Sequence, residues 1–193
     1  MRVGLLGGTF DPIHLGHLRA AETARERLGL ELVAFVPSGE PPHRTGPLAS
    51  ARDRFTMACL ASVGHPRFAV WDIEVDREGP SYTVDTLAAL KAERPEDELV
   101  LVVGSDTWPE MTSWREPEQV FALAEVAVLD RPGQPRSDTV APFPGARGVA
   151  RVDGPTLPIS ATVIREHVRR GDSVRYLVPC AVAEFIARRG LYS

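Results

Sequence analysis

Lysine is almost missing from this chain: Lys91 is the only one among 22 basic residues, and the others are arginine. Either genome composition or heat tolerance would account for such a bias, and the sequence does not separate the two. No Gly-Lys pair occurs anywhere, which excludes the Gly-Lys-Ser/Thr loop that cradles phosphates in P-loop proteins. Gly-x-Gly-x-x-Gly is missing from the turn after the first apolar run, so the dinucleotide-binding fingerprint is excluded there too. Positive charge is not in surplus. A net charge of -4 argues against a general nucleic-acid binder, which must neutralise many phosphates. A small anionic ligand stays compatible, because a pocket can be locally positive on an acidic protein. The only cysteines, Cys59 and Cys180, stand in apolar helical contexts and are expected as buried free thiols, not as a disulfide framework. No apolar run approaches the roughly 20 residues of a membrane span. The start, Arg2-Val3-Gly4-Leu5-Leu6, runs into a glycine turn without a small-residue cleavage site, so a cytoplasmic protein is expected.

What is present is an ordinary globular composition: 193 residues, 44% apolar and 25% charged. Short runs that are apolar on both faces predict buried strands at Val3–Leu6, Leu32–Val36, Leu99–Val103 and Val126–Leu129. Helical patterns lie between them. Leu18, Ala21, Ala24, Arg25 and Leu28 mark the first, closed by Gly29. Ser50 and Asp53 form a capping-box pattern for a second, carried by Phe55, Cys59 and Val63. A third runs from Val84 to Lys91 and a fourth from Pro117 to Ala124. Further on, Ser160 reads as the N-cap of a helix stopped at Gly171, and Pro179 opens a last helix stopped at Gly190. Pro- and Gly-rich residues 131–148 predict a long surface loop. The alternation predicts one α/β domain over residues 1–193. Its sheet is Rossmann-like, open and parallel, with helices on both faces and a small C-terminal helical subregion.

The segment Gly7-Gly8-Thr9-Phe10-Asp11-Pro12-Ile13-His14-Leu15-Gly16-His17 joins the first strand to the first helix, where open α/β sheets bind ligands. Adjacent glycines let a phosphate approach backbone amides. His14 and His17, three apart, share a face at a helix N-terminus that already attracts anions, and Gly16 leaves no side chain between them. The same histidines could instead bind a metal with Asp11, although no fuller ligand set is evident, or they could be incidental to a glycine turn.

Gly-Thr-Phe-Asp-Pro-Ile-His-x-Gly-His resembles the ATP-binding motif of the nucleotidyltransferases that carry His-x-Gly-His. Within that superfamily the chain resembles bacterial nicotinate-nucleotide adenylyltransferases over nearly its whole length. The likeness rests on Pro41-Pro42-His43-Arg44, Ser81-Tyr82-Thr83, Gly104-Ser105-Asp106 with Trp114, Arg131-Pro132-Gly133, Ile159 to Arg165, Tyr176 to Pro179 and Gly190-Leu191-Tyr192. The resemblance implies transfer of AMP from ATP to the 5′-phosphate of nicotinate mononucleotide, with Mg²⁺ accompanying ATP. It implies an ATP site of Gly7, Gly8, Thr9, Phe10, His14, His17, Gly104, Asp106, Ile159, Ser160 and Arg165, with His14, His17 and Arg165 at the reacting phosphates. For the acceptor it implies Gly8, Thr9 and Arg44, Trp114 stacked on the pyridine ring, and Thr83 with the amides of Val84 and Arg115 at the carboxylate. Trp71 and Trp108 are expected in the core. Two departures stand out: many relatives carry lysine where Arg44 stands, and serine where Ala161 stands. Nicotinamide mononucleotide or phosphopantetheine as acceptor, and a non-catalytic ATP- or NAD-sensing module, are the alternatives. No nucleic acid or membrane partner is expected, and monomer and homo-oligomer both stay open.

Overall fold

The structure is a computed structural model that describes residues 1–41, 48–130, 143 and 146–193. In chain order it runs β1 (Arg2–Gly8), α1 (Leu15–Leu28), β2 (Leu32–Pro37), α2 (Ala51–Ser62), β3 (Phe68–Val70), α3 (Thr83–Glu93) and β4 (Glu98–Gly104). A 3₁₀ turn (Trp108–Ser113), α4 (Pro117–Leu123), β5 (Glu125–Leu129), β6 (Val149–Val152), α5 (Ala161–Arg170) and α6 (Cys180–Arg189) complete it.

The strands form one parallel sheet in the order β3-β2-β1-β4-β5-β6. From β1 the chain builds outward through β2 and β3, then crosses back to lay β4 on the other side of β1. The strand order therefore reverses between β1 and β4, and the crevice at the carboxyl ends of these two strands is where such sheets bind ligands. Gly7 and Gly8 end β1 there, and Gly104 ends β4.

Alternate residues of the central strands feed two apolar layers. Val33, Phe35, Val100, Val102 and Ala127 face one, where α1, α2, α5 and α6 supply Ala24, Met57, Ile164, Val182 and Ile186. Val3, Leu5, Ala34, Val36, Leu101 and Val128 face the other, against Leu87 and Leu90 of α3 and Phe121 of α4. Trp108 is buried against Phe121, and Trp71 packs on the same layer beneath the Arg94 guanidinium, 5.0 Å from its ring.

All four expected strands and the expected helices form. Gly29, Gly171 and Gly190 end their helices in the left-handed conformation that glycine tolerates best. Ser50 caps α2, accepting from the Asp53 amide at 3.1 Å. Three expectations need correction. The buried stripe of α2 is Arg54, Met57 and Ala58; Phe55 and Cys59 are half-buried, and Val63 lies past the helix end, 78% exposed. An arginine inside that stripe reads as surface in the sequence, which rotates the inferred face by one position. Both cysteines are free, but neither is fully buried, and Cys180 is exposed on the first turn of α6. The edge strands β3 and β6 are additions: lying at the sheet margins, they are short and only partly buried, so they lack a continuous apolar run. Most of the loop expected over residues 131–148 lies outside the described residues.

Candidate active site

At the switch point between β1 and β4 opens a cleft of about 990 Å³. One wall is the turn leading from β1 into α1. His14 is the N-cap of α1 and is buried, and His17 is its third residue. The His14 amide donates to His17 Nδ1 at 3.2 Å. That nitrogen acts as the acceptor, which leaves Nε2 as the ring nitrogen that serves as a donor. The two rings stack with centroids 3.6 Å apart and planes 20° from parallel. Phe10 meets the His17 ring edge-on at 5.0 Å. A Cβ on Gly16 would sit 3.0 Å from His14 Nδ1 and 3.2 Å from the Leu157 carbonyl, so only glycine fits unforced.

Arg165 reaches the same wall from the first turns of α5. Its Nη1 donates to the Asp11 carbonyl at 2.7 Å and its Nη2 to Thr162 Oγ1 at 3.2 Å, while its buried Nε has no hydrogen-bond partner. Ser160 occupies the N-cap position of α5 without a capping bond from its side chain. Two helix N-termini, two imidazoles and one guanidinium thus border a single cavity, a surrounding built for anions.

The opposite side of the cleft is formed by α3 and by the segment after β4. Thr83 opens α3, and Trp114, half-buried, ends the 3₁₀ turn. Arg115 lies over the Tyr82 ring at 4.8 Å and pairs with Asp85 at 3.4 Å, tying that turn to α3. Glu74, Thr86 and Ser81 line the cleft as well; Glu74 accepts from Thr86 Oγ1 at 2.7 Å, and Ser81 Oγ accepts from the Gly39 amide at 3.0 Å. Burial pushes the Glu74 carboxyl above its ordinary range, against the opposing pull of Thr86, Arg77 and Ser81.

Of the residues singled out in the sequence, Gly7, Gly8, Thr9, Phe10, His14, His17, Gly104, Asp106, Ile159, Ser160 and Arg165 all line this cleft, as do Thr83, Trp114 and Arg115. The Val84 side chain is buried in the α3 layer, which does not bear on its backbone amide, the group expected at the carboxylate. Arg44, with His43 and Arg131-Pro132-Gly133, lies outside the described residues. A metal held by His14, His17 and Asp11 does not fit, because the Asp11 carboxylate is already taken. It accepts from the Leu48 amide at 2.9 Å, the Ala49 amide at 3.2 Å and the Tyr192 hydroxyl at 2.7 Å. Among the described residues no three His, Cys, Asp or Glu side chains gather as a metal-ligating group.

Sequence reasoning missed Arg54, which is completely buried. Its guanidinium donates to three carbonyls, Thr9 at 2.7 Å, Gly39 at 2.9 Å and Ala49 at 3.2 Å. Burial lowers its pKa, and the charge of Asp11 opposes that shift. Its place three and four residues before Met57 and Ala58 was the available signal, since a cation on an apolar stripe must have internal partners.

The model of the cytidylyltransferase-like family matches residues 5–167. A Thermus thermophilus protein named "Probable nicotinate-nucleotide adenylyltransferase" is 45% identical over 192 residues, covering 100% of both chains. One of the same name from Dictyoglomus thermophilum is 43% identical, again over 100% of both. The solved nicotinic acid mononucleotide adenylyltransferase of Plasmodium falciparum, in complex with NaAD, superposes with a TM-score of 0.83. It matches 99% of this chain and 97% of its own, at 16% identity, a likeness of fold.

Proposed function

The chain belongs to the cytidylyltransferase-like family and, within it, to the nicotinate-nucleotide adenylyltransferases, and on that premise we propose that it adenylates nicotinate mononucleotide. The 5′-phosphate oxygen of the mononucleotide attacks the α-phosphorus of ATP. A new P–O bond forms as the bond from that phosphorus to the β-phosphate bridging oxygen breaks, and pyrophosphate leaves with the electron pair. The product is nicotinate adenine dinucleotide. A phosphate monoester has its second pKa near ~6, so the nucleophile is already charged at neutral pH and no general base is needed. The enzyme's work is to hold two anions in line and to stabilise charge on the leaving group.

The observation that carries this reading is the convergence of His14, His17 and Arg165 on one cleft at the ends of β1 and β4. In this reading His14 and His17 donate to the triphosphate, with His17 nearest the reacting phosphorus, and Arg165 clamps the β- and γ-phosphates. Gly7, Gly8, Thr9 and Phe10 border the nucleotide, Asp106 meets ribose hydroxyls, and Ile159 flanks the adenine. Trp114 stacks on the pyridine ring, whose positive charge suits an indole face. Thr83 and nearby amides receive its carboxylate, which favours the acid over the amide.

The donors at the phosphate wall are nitrogen-rich and suit phosphate oxygens better than a hard cation. Mg²⁺ would therefore arrive on the triphosphate and would need no dedicated set of protein ligands. When bound it neutralises charge on the departing pyrophosphate. We assign the reaction to the cytoplasm, where ATP is supplied; among the described residues no helix is long and apolar enough to cross a membrane.

Purified protein with ATP, Mg²⁺ and each acceptor in turn tests the reading through pyrophosphate release. Release with nicotinate mononucleotide is expected. Faster release with nicotinamide mononucleotide or phosphopantetheine would overturn the acceptor, and ATP binding without release from any acceptor would favour a sensing module.

A further inference from the structure

The last residues of the chain return to the phosphate wall. Tyr192, whose hydroxyl donates to Asp11 Oδ1 at 2.7 Å across 181 positions of sequence, is buried to 8% exposure. Both ends of this contact carry unusual backbone. Tyr192 has φ 67°, and Phe10, immediately before Asp11, has φ 50°, left-handed conformations that are costly for residues with a side chain. Such strain persists only where the surroundings enforce it, and here it brings together residues from opposite ends of the chain. The rest of the cluster is equally committed. Asp11 also takes the amides of Leu48 and Ala49, while Arg54, wholly buried, donates to Thr9, Gly39 and Ala49. Burial and the Asp11 carboxylate hold the Tyr192 phenol well above the ordinary tyrosine range, so it stays a donor at any working pH.

The outlet of this cluster is the Asp11 carbonyl, which receives Arg165 Nη1. We infer that Tyr192 and Arg54 are positioning residues for the transfer reaction: by fixing Asp11 and Thr9 from behind, they set the place of the Arg165 guanidinium and of the turn ahead of His14. This rests on the cleft being the triphosphate site. Neither residue is required to touch substrate. Their contribution is preorganisation, and displacement of a reacting group by about 1 Å costs on the order of a hundredfold in rate.

Tyr192→Phe removes one hydroxyl and keeps the ring; Arg54→Lys keeps the charge and loses the fork. The experiment measures kcat and both KM values well below the melting temperature of each variant, alone and combined with Arg165→Ala. The expected result is a kcat lowered about 10- to 100-fold in Tyr192→Phe, by the preorganisation argument, with the KM for nicotinate mononucleotide within roughly twofold. On the Arg165→Ala background the same change should cost clearly less, because one of the two groups it positions is gone and only the turn ahead of His14 is left to be disturbed. Arg54→Lys should repeat the pattern wherever it folds. An unchanged kcat in Tyr192→Phe, a loss that adds fully to that of Arg165→Ala, or an equal worsening for both substrates would each overturn the inference. Wild-type protein that releases no pyrophosphate from any acceptor would instead remove the proposed function beneath it.

Discussion

The His14 and His17 rings stack 3.6 Å apart, while the His14 amide holds Nδ1 of the ring it stacks on. One residue thus orients the other through both its backbone and its side chain. In the proposed reaction the pair presents imidazole to a phosphate, and with Nδ1 of His17 occupied by the His14 amide, Nε2 is the nitrogen left to donate.

His17→Ala is expected to lower kcat about 10²- to 10³-fold, the usual consequence of deleting a donor that acts in the transition state. The His14 amide loses its acceptor at the head of α1, a loss on the scale of a helix cap, about 1 kcal/mol. The melting temperature of a chain this size should then fall by only about 2–4 °C. Turnover near the wild-type level would remove the role given to His17.

Gly16→Ala should separate stability from activity. Alanine in the first turn of α1 gains helix propensity, up to about 1 kcal/mol. Its Cβ, however, would press on His14 Nδ1 at 3.0 Å, and the His14 ring cannot retreat without leaving its stack on His17. We expect a melting temperature close to wild type and a kcat lowered by about tenfold or more, since a displaced imidazole costs rate steeply. A loss of activity matched by a parallel loss of stability would contradict this.

The central sheet and the anion wall were legible because each rests on local signals. Runs apolar on both faces marked β1, β2, β4 and β5, and glycine stops marked three helix ends. The turn from Gly7 to His17 combines close-approach glycines with imidazoles at helical spacing, which is visible without tertiary structure. What escaped was non-local. The tie from Tyr192 to Asp11 spans nearly the whole chain, and Arg54 finds its partners in backbone carbonyls, which no residue pattern displays. Glu74 escaped likewise, because acidic residues in a loop ordinarily face water.

Arg54→Met should be strongly destabilising despite its similar length. It would strip the donors from the Thr9, Gly39 and Ala49 carbonyls and remove the positive charge that balances Asp11 in the interior. Breaking a buried charged network by removing one partner costs about 3–5 kcal/mol, enough to lower the melting temperature by about 6–20 °C. Thermal unfolding of the two proteins side by side tests this; a shift within about 2 °C would show that the guanidinium is dispensable to the fold.

Glu74 makes stability depend on pH with a predictable sign. Burial raises its folded-state pKa above the unfolded value, so the native protein holds that proton more tightly than the unfolded chain does. Below the ordinary carboxylate range both states are protonated, and Glu74 costs nothing through this linkage. As pH rises through that range and on through the folded pKa, the buried group is forced to ionise, and its cost grows to a full, constant penalty. Glu74→Gln removes the ionisation while its Oε1 can still accept from Thr86. Any packing or amide cost of the substitution is the same at every pH, so the informative quantity is the change in melting-temperature difference between pH 4 and pH 7.5. The variant should gain on wild type as pH rises across that interval. A difference that stays constant, or that moves toward wild type with rising pH, would mean that Glu74 is not held above its ordinary range in the fold.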